Sequence, residues 1–258
     1  MTPPDLTSRC DALRSLHVPG EPLLLPNAWD VASARAVEAA GFPVVATTSA
    51  GVAAALGFDD HEGGPGEEML AAAARIARGV SVPVTVDAEA GYGMDPQDLV
   101  AALRAIGVAG CNLEDTDHRS GELRDPGAHA EWLAAVREAA ARQEYPLLVN
   151  ARIDVFVRAA SSGAKGPQAE LVDEALARAR AYVDAGADCV YPILLWETDA
   201  LTRFVADHPG PVNAVRVSRS SSIAELAELG VARVSWGGQL AHQATERFSE
   251  VLGSLAES

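Results

Sequence analysis

The chain has 258 residues, of which 48% are hydrophobic and only 5% aromatic, so any core must be built mainly from Ala, Val and Leu. Its formal net charge of −16 repels polyanions and excludes nucleic acid as a partner. No stretch of about 18 apolar residues is free of charge, so neither a membrane span nor a membrane partner is expected.

The N-terminal segment MTPPDLTSRCDALRS contains acids and lacks the apolar run of a secretory signal. Cys10, Cys111 and Cys189 are odd in number and far apart, which suits neither a disulfide framework nor a zinc ribbon. Both observations lead to the expectation of a cytoplasmic protein.

Residues 1–20 read as an N-terminal helical extension. A first strand at 23–25 follows, then a helix at 31–40 that starts after the cap residue Asp30 and stops at Gly41. The next pairs are a strand at 44–47 with a helix at 67–78, and a strand at 82–86 with a helix at 95–106. This last helix opens on Asp95-Pro96 and stops at Gly107. Strands at 110–113, 146–149, 188–194, 212–215 and 232–236 are followed by helices at 131–142, 169–185, 198–207, 222–229 and 240–252. Eight strand–helix alternations with no break in composition predict an α/β fold, a (β/α)₈ TIM barrel formed by residues 1–258 as a single domain. The rival is an open doubly wound sheet. Against it, the first strand leads into Pro26-Asn27-Ala28-Trp29-Asp30 rather than a glycine-rich dinucleotide loop.

Barrel chemistry sits at the C-terminal ends of the strands. The third strand ends Val86-Asp87-Ala88-Glu89, and alternation puts Asp87 and Glu89 on one side of it. The fourth ends in Glu114, and the fifth runs into Asn150-Ala151-Arg152-Ile153-Asp154. Three crowded carboxylates repel one another, and a hard cation relieves the repulsion. An all-oxygen set predicts Mg²⁺ or Mn²⁺ held by Asp87, Glu89 and Glu114. The alternative is that the acids merely cap the helices that follow. Arg152 suits a bidentate grip on an anionic substrate, or else a structural salt bridge to Glu114 or Asp154. Backbone N–H groups of Ser49-Ala50-Gly51 either receive a carboxylate or simply start a helix. Lys165, the chain's one lysine, lies in a loop-like stretch rather than on a strand, which argues against imine chemistry. Cys111 and Cys189 read as core residues. His118 and His129 read as surface residues of the loop after the fourth strand, with a catalytic role the alternative.

These residues resemble the isocitrate lyase/phosphoenolpyruvate mutase superfamily from Pro26 to about Gly237. The specific pieces are Thr47-Thr48-Ser49-Ala50-Gly51, Leu56-Gly57-Phe58-Asp59-Asp60, Asp87-Ala88-Glu89-Ala90-Gly91-Tyr92-Gly93, Asn112-Leu113-Glu114-Asp115-Thr116 and Asn150-Ala151-Arg152. The resemblance implies a Mg²⁺- or Mn²⁺-dependent barrel enzyme that cleaves or rearranges a C–C or P–C bond of a small 2-oxo acid or phosphonate through a metal-stabilised enolate. It also implies a homo-oligomer, a dimer or tetramer. By motif, Asp87 looks like the direct metal ligand, Glu89 and Glu114 like ligands through water, and Arg152 like the carboxylate-binding arginine. Thr48, Ser49 and Ala50 look like the substrate's backbone cradle, and Asp60 like the mobile acid near the metal. The lyase branch carries a catalytic cysteine after the fourth strand, where this chain has Asp117-His118-Arg119-Ser120-Gly121-Glu122. It also has Ile193 after Pro192 where the lyases place a glutamate, and it lacks the mutases' Lys and Asn. A phosphonomutase is therefore the alternative reaction, and a 2-oxo-acid and metal binding protein without turnover the alternative of another class.

Overall fold

The computed structural model describes residues 5–163 and 166–257. Its parallel strands are β1 (Leu23–Leu25, resumed after Pro26 by Asn27–Ala28), β2 (Val45–Thr47), β3 (Val84–Asp87), β4 (Gly110–Glu114), β5 (Leu148–Ile153), β6 (Cys189–Pro192), β7 (Asn213–Val215) and β8 (Arg233–Ser235). The helices are α1 (Leu6–Ser15), α2 (Val31–Ala39), α3 (Ser49–Leu56), α4 (Gly66–Gly79), α5 (Pro96–Ile106), α6 (Pro126–Arg142), α7 (Val155–Ser161), α8 (Val172–Asp184), α9 (Thr198–Asp207), α10 (Ile223–Glu228) and α11 (Gln239–Ala256).

Each strand pairs with the next in sequence. Asn27 lies opposite Ala46, Val45 opposite Val84, Asp87 opposite Asn112, Glu114 opposite Arg152 and Ile153 opposite Pro192. A single parallel bridge, Val190 to Val212, joins β6 to β7. β8 pairs with both β7 and β1, Ser235 facing Val215 and Leu25. The circuit closes, and the fold is a (β/α)₈ barrel. Closure gives each of the eight barrel strands a neighbour on both sides.

The seam at Pro26 explains itself. Proline has no N–H to give the ladder, and the Asn27 side chain ties the seam instead. Its Nδ2 donates to Thr47 O at 2.8 Å, and its Oδ1 accepts from Trp236 N at 2.8 Å. One buried amide thus joins the ends of β8 and β2 across β1.

β4 and β5 are buried along their whole length, as barrel strands must be when helices cover one face and the interior the other. Part of that interior is polar. Asn150 Nδ2 and Arg233 Nη2 both donate to Asn112 Oδ1, at 2.8 and 3.1 Å. Arg233 is 1% exposed, and this burial lowers its pKa from the usual guanidinium value.

The observed elements depart from the sequence reading where local signals mislead. Helix α6 starts at Pro126 rather than 131, because Asp125 caps Ala128 N at 3.0 Å and proline is compatible with the first helical position. The stretch 169–185 divides into a 3₁₀ turn, Gln168–Leu171, and α8. Two further helices, α3 and α7, follow β2 and β5 directly. The α3 sequence SAGVAAAL has no polar face, so it shows no helical period. β5 extends to Ile153 through the polar residues Asn150 and Arg152. Thr116–Asp117 pairs antiparallel with Glu122–Leu123, making a hairpin of the segment after β4. Among the described residues no helix is long and apolar enough to cross a membrane.

Candidate active site

Register builds the site. Asp87 ends β3, Glu114 ends β4 and Arg152 stands beside Glu114 on β5. The Asp87 carboxylate accepts Ser49 N at 3.2 Å through Oδ2, and its own N–H donates to Thr47 Oγ1 at 2.9 Å. Glu114 is 1% exposed. Its Oε2 lies 2.5 Å from Arg152 Nη1, and its Oε1 meets His118 Nε2.

Glu89 reaches the same place by another route than strand alternation. β3 stops at Asp87, and Glu89 turns through a left-handed conformation, φ +48°. Its carbonyl accepts Glu114 N at 2.9 Å, which pins the turn to β4. The side chain is buried, and its Oε2 accepts Glu62 N at 2.5 Å. Glu62 in turn accepts Tyr92 N at 2.6 Å. His61, Glu62 and Tyr92 also have positive φ. Such backbone costs about 1–3 kcal/mol per residue and concentrates where geometry serves a site.

Burial pushes Glu89 up to about 8, with the charges of Asp87, Glu114 and Asp60 adding to the effect and the Glu62 N–H opposing it. Burial also raises Glu114, against the pull of Arg152. Burial alone would lower His118, but its hydrogen bond to Glu114 and the surrounding carboxylates raise it. Asp60 Oδ1 is buried and accepts no hydrogen bond. These crowded carboxylates, including an oxygen without a donor, are the donor chemistry a hard divalent cation satisfies. The all-oxygen chemistry of Asp87, Glu89, Glu114 and Asp60 is of the kind that suits Mg²⁺ or Mn²⁺, while the group whose ligand atoms stand within 4.8 Å of one another is His61, Glu114 and His118.

Arg152 is held from behind. It donates to both oxygens of Asp154, through Nε at 2.7 Å and Nη2 at 3.1 Å. Asp154 also accepts Thr116 Oγ1 at 2.6 Å, and its backbone N–H donates to Asp115 Oδ1 at 2.9 Å. Asp115 is fully buried and takes Arg178 at 3.0 Å and Tyr182 at 2.7 Å. The Ser49 N–H is engaged by Asp87, so within Thr48, Ser49 and Ala50 that donor is not open to a substrate in this arrangement.

Sequence reasoning missed His61, Glu62 and Tyr92. The left-handed turns that bring Glu62 and Tyr92 to Glu89 leave no period to read. His129 is not a surface residue. It is fully buried on α6, with its ring 4.9 Å from that of Tyr182, and burial lowers it to about 3. The three cysteines are buried and free, as read for Cys111 and Cys189, and burial raises each thiol to about 12. Lys165 lies outside the described residues.

Cavities lie near the barrel mouth. One of about 490 Å³ runs between α3 and α11 and is lined largely by Trp29, small residues and His242. Another, about 240 Å³, is lined by His61, Thr116, His118, Asp154 and Arg158. That one adjoins His61 and His118, and a much smaller one is lined by Thr47, Ser49, Asp87 and Tyr92.

Residues 13–256 match the model of the phosphoenolpyruvate phosphomutase family, and the chain belongs to it. It is 37% identical over 227 residues to an uncharacterized Mycobacterium tuberculosis protein, covering 88% of this chain and 81% of that one. It is 33% identical over 260 residues to "Probable 2-methylisocitrate lyase 2" of Corynebacterium glutamicum, covering 98% and 82%. A solved structure from Burkholderia cenocepacia J2315, provisionally assigned as a phosphonomutase, superposes with a TM-score of 0.89 at 42% identity, covering 95% and 99%.

Proposed function

We propose that the chain is a Mg²⁺- or Mn²⁺-dependent cytoplasmic enzyme that breaks or rearranges a C–C or P–C bond beside the carbonyl of a small 2-oxo acid. The observation that carries this reading is that half-buried Asp87 and buried Glu89 and Glu114 share the C-terminal end of the barrel with Arg152, which touches Glu114. When bound, the cation supplies positive charge against the enolate left by the broken bond. Asp87 would hold it directly, with Glu89, Glu114 and Asp60 around it. Asp154 fixes the Arg152 plane and Glu114 takes one further N–H, so the two of the five guanidinium N–H groups that remain would present a preorganised site for a substrate carboxylate or phosphonate. Glu89 and Glu114 are buried from bulk water, which strengthens the charge interactions they make.

The reading extends to assembly. Helix α11 has no buried residue and exposes Phe248, Val251 and Leu252. An apolar stripe of this kind is covered in a homo-oligomer, a dimer or tetramer.

The test is a panel of 2-oxo acids and phosphonates assayed for pyruvate or enolate release, with and without EDTA. Metal-dependent turnover of at least one compound is expected. Binding of these compounds with no turnover of any would leave a binding protein instead. Conversion of a 2-oxo phosphonate to its isomeric enol phosphate, the P–C bond broken as a P–O bond forms and no fragment released, would select the phosphonomutase alternative, which the solved Burkholderia relative favours.

A further inference from the structure

His61, Glu114 and His118 each bring one ligand atom into a cluster in which all three atoms lie within 4.8 Å of one another. They come from separate segments: the turn after α3, the end of β4 and the hairpin that follows it. His118 Nε2 already bonds Glu114 Oε1. The His61 and His118 rings lie 5.4 Å apart, tilted by 34°.

Two imidazoles and a carboxylate form a donor set unlike the all-oxygen set around Asp87. Imidazole nitrogen suits Zn²⁺, Co²⁺ or Ni²⁺, whereas Mg²⁺ prefers oxygen. Metal–ligand bonds of about 2.0–2.1 Å in a tetrahedron place ligand atoms about 3.4 Å apart. The cluster must therefore contract by roughly 1.5 Å at most, and His61, exposed on its turn, is free to move. The cavity of about 240 Å³ beside it, reaching Thr116, Asp154 and Arg158, has room for the water or anion that completes the coordination. Three protein ligands with one open position is a familiar arrangement for a transition metal.

We propose that His61, Glu114 and His118 form a second divalent-cation site, selective for a transition metal such as Zn²⁺ or Co²⁺. A metal there ties the turn bearing His61, next to Asp60 and Glu62, to the end of β4 and the hairpin that follows it. The inference does not depend on the 2-oxo-acid reading, with which it shares only Glu114.

Co²⁺ is the probe. The full-length chain is stripped with EDTA, exchanged into buffer with excess Mg²⁺ and titrated while visible absorption is recorded. One Co²⁺ per chain should bind, with the bands of a nitrogen-ligated ion. His61→Asn and His118→Gln should each weaken binding at least tenfold; Asn is used because residue 61 has φ +65°, which Asn tolerates. Asp87→Asn should leave Co²⁺ affinity within about twofold of the parent. Unchanged Co²⁺ affinity in either histidine variant overturns the proposal. So does Co²⁺ that Mg²⁺ displaces and that is lost with Asp87→Asn, because it then occupies the acid site. Mg²⁺ calorimetry on the same variants tests the acid site separately, since only Asp87→Asn should abolish that signal.

Discussion

Arg152 closes a two-bond fork on Asp154, with Nε 2.7 Å from Oδ1 and Nη2 3.1 Å from Oδ2. The same guanidinium touches Glu114 at 2.5 Å. Arg152 is thus both a structural bridge and the cation nearest the acids, and the two roles make separate demands on a substitution.

Arg152→Lys keeps a point charge near Glu114 but cannot reproduce the fork. One buried Asp154 oxygen then loses its donor, which costs about 1–3 kcal/mol. The melting temperature should fall by several degrees, at about 2–4 °C per kcal/mol for a chain approaching this size. The value of kcat/KM should fall tenfold or more, about 1.4 kcal/mol. A variant that melts lower yet turns over at the parent rate would show that Arg152 serves the fold alone.

Glu89 gives a pH signature. Its folded pKa of about 8 lies above its value in the unfolded chain, so the folded state holds the proton more tightly. That stabilisation is fully present below about pH 4.5 and is lost as pH rises through about 8. The metal-free protein should lose more stability between pH 5 and 8.5 than the Glu89→Gln variant, whose amide does not titrate. Mg²⁺ should narrow the gap by favouring the ionised form. Thermal unfolding of both proteins across this range is the check, and parallel curves would remove Glu89 from the buried acid cluster.

The hairpin after β4 carries His118, Arg119 and Ser120 where the lyase branch has its acidic cysteine, and the cysteines this chain does have are buried with raised thiol pKa values. Isocitrate and 2-methylisocitrate should therefore be poor substrates, far below the usual enzyme range of about 1–10³ s⁻¹. Iodoacetamide should leave activity on the true substrate intact. Rapid cleavage of either compound, abolished by alkylation, would contradict this reading of the hairpin despite the Corynebacterium relative's name.

The barrel was legible because short apolar runs ending in Gly or an acid alternate with capped helices, a pattern that parallel strands buried on both faces impose. Asp87 and Glu114 could be placed from their positions at strand ends. Glu89 was placed beside Asp87 for the wrong reason. A strand period was extended past Asp87, where the chain has already turned left-handed, and burial against Glu62 and β4 carries the side chain back. Asp60 rested on resemblance alone, since no period governs the turn that holds it. The Asn112–Asn150–Arg233 interior was not anticipated, because a polar residue inside a barrel differs from one at its rim only in three dimensions. His129 looked like a loop residue because Pro126 and Gly127 hid the true start of α6.

The most direct test is Mg²⁺ calorimetry on the parent chain and on Asp87→Ala. Asp87 ends β3, where its carboxylate accepts Ser49 N and lies near Glu89. The parent should bind Mg²⁺ with proton release, because carboxylates raised by burial must ionise to ligate it. Asp87→Ala should show no measurable binding and lose most activity, with its fold retained by circular dichroism. Equal Mg²⁺ affinity in the two proteins would contradict the assignment of this barrel mouth as a metal-dependent active site.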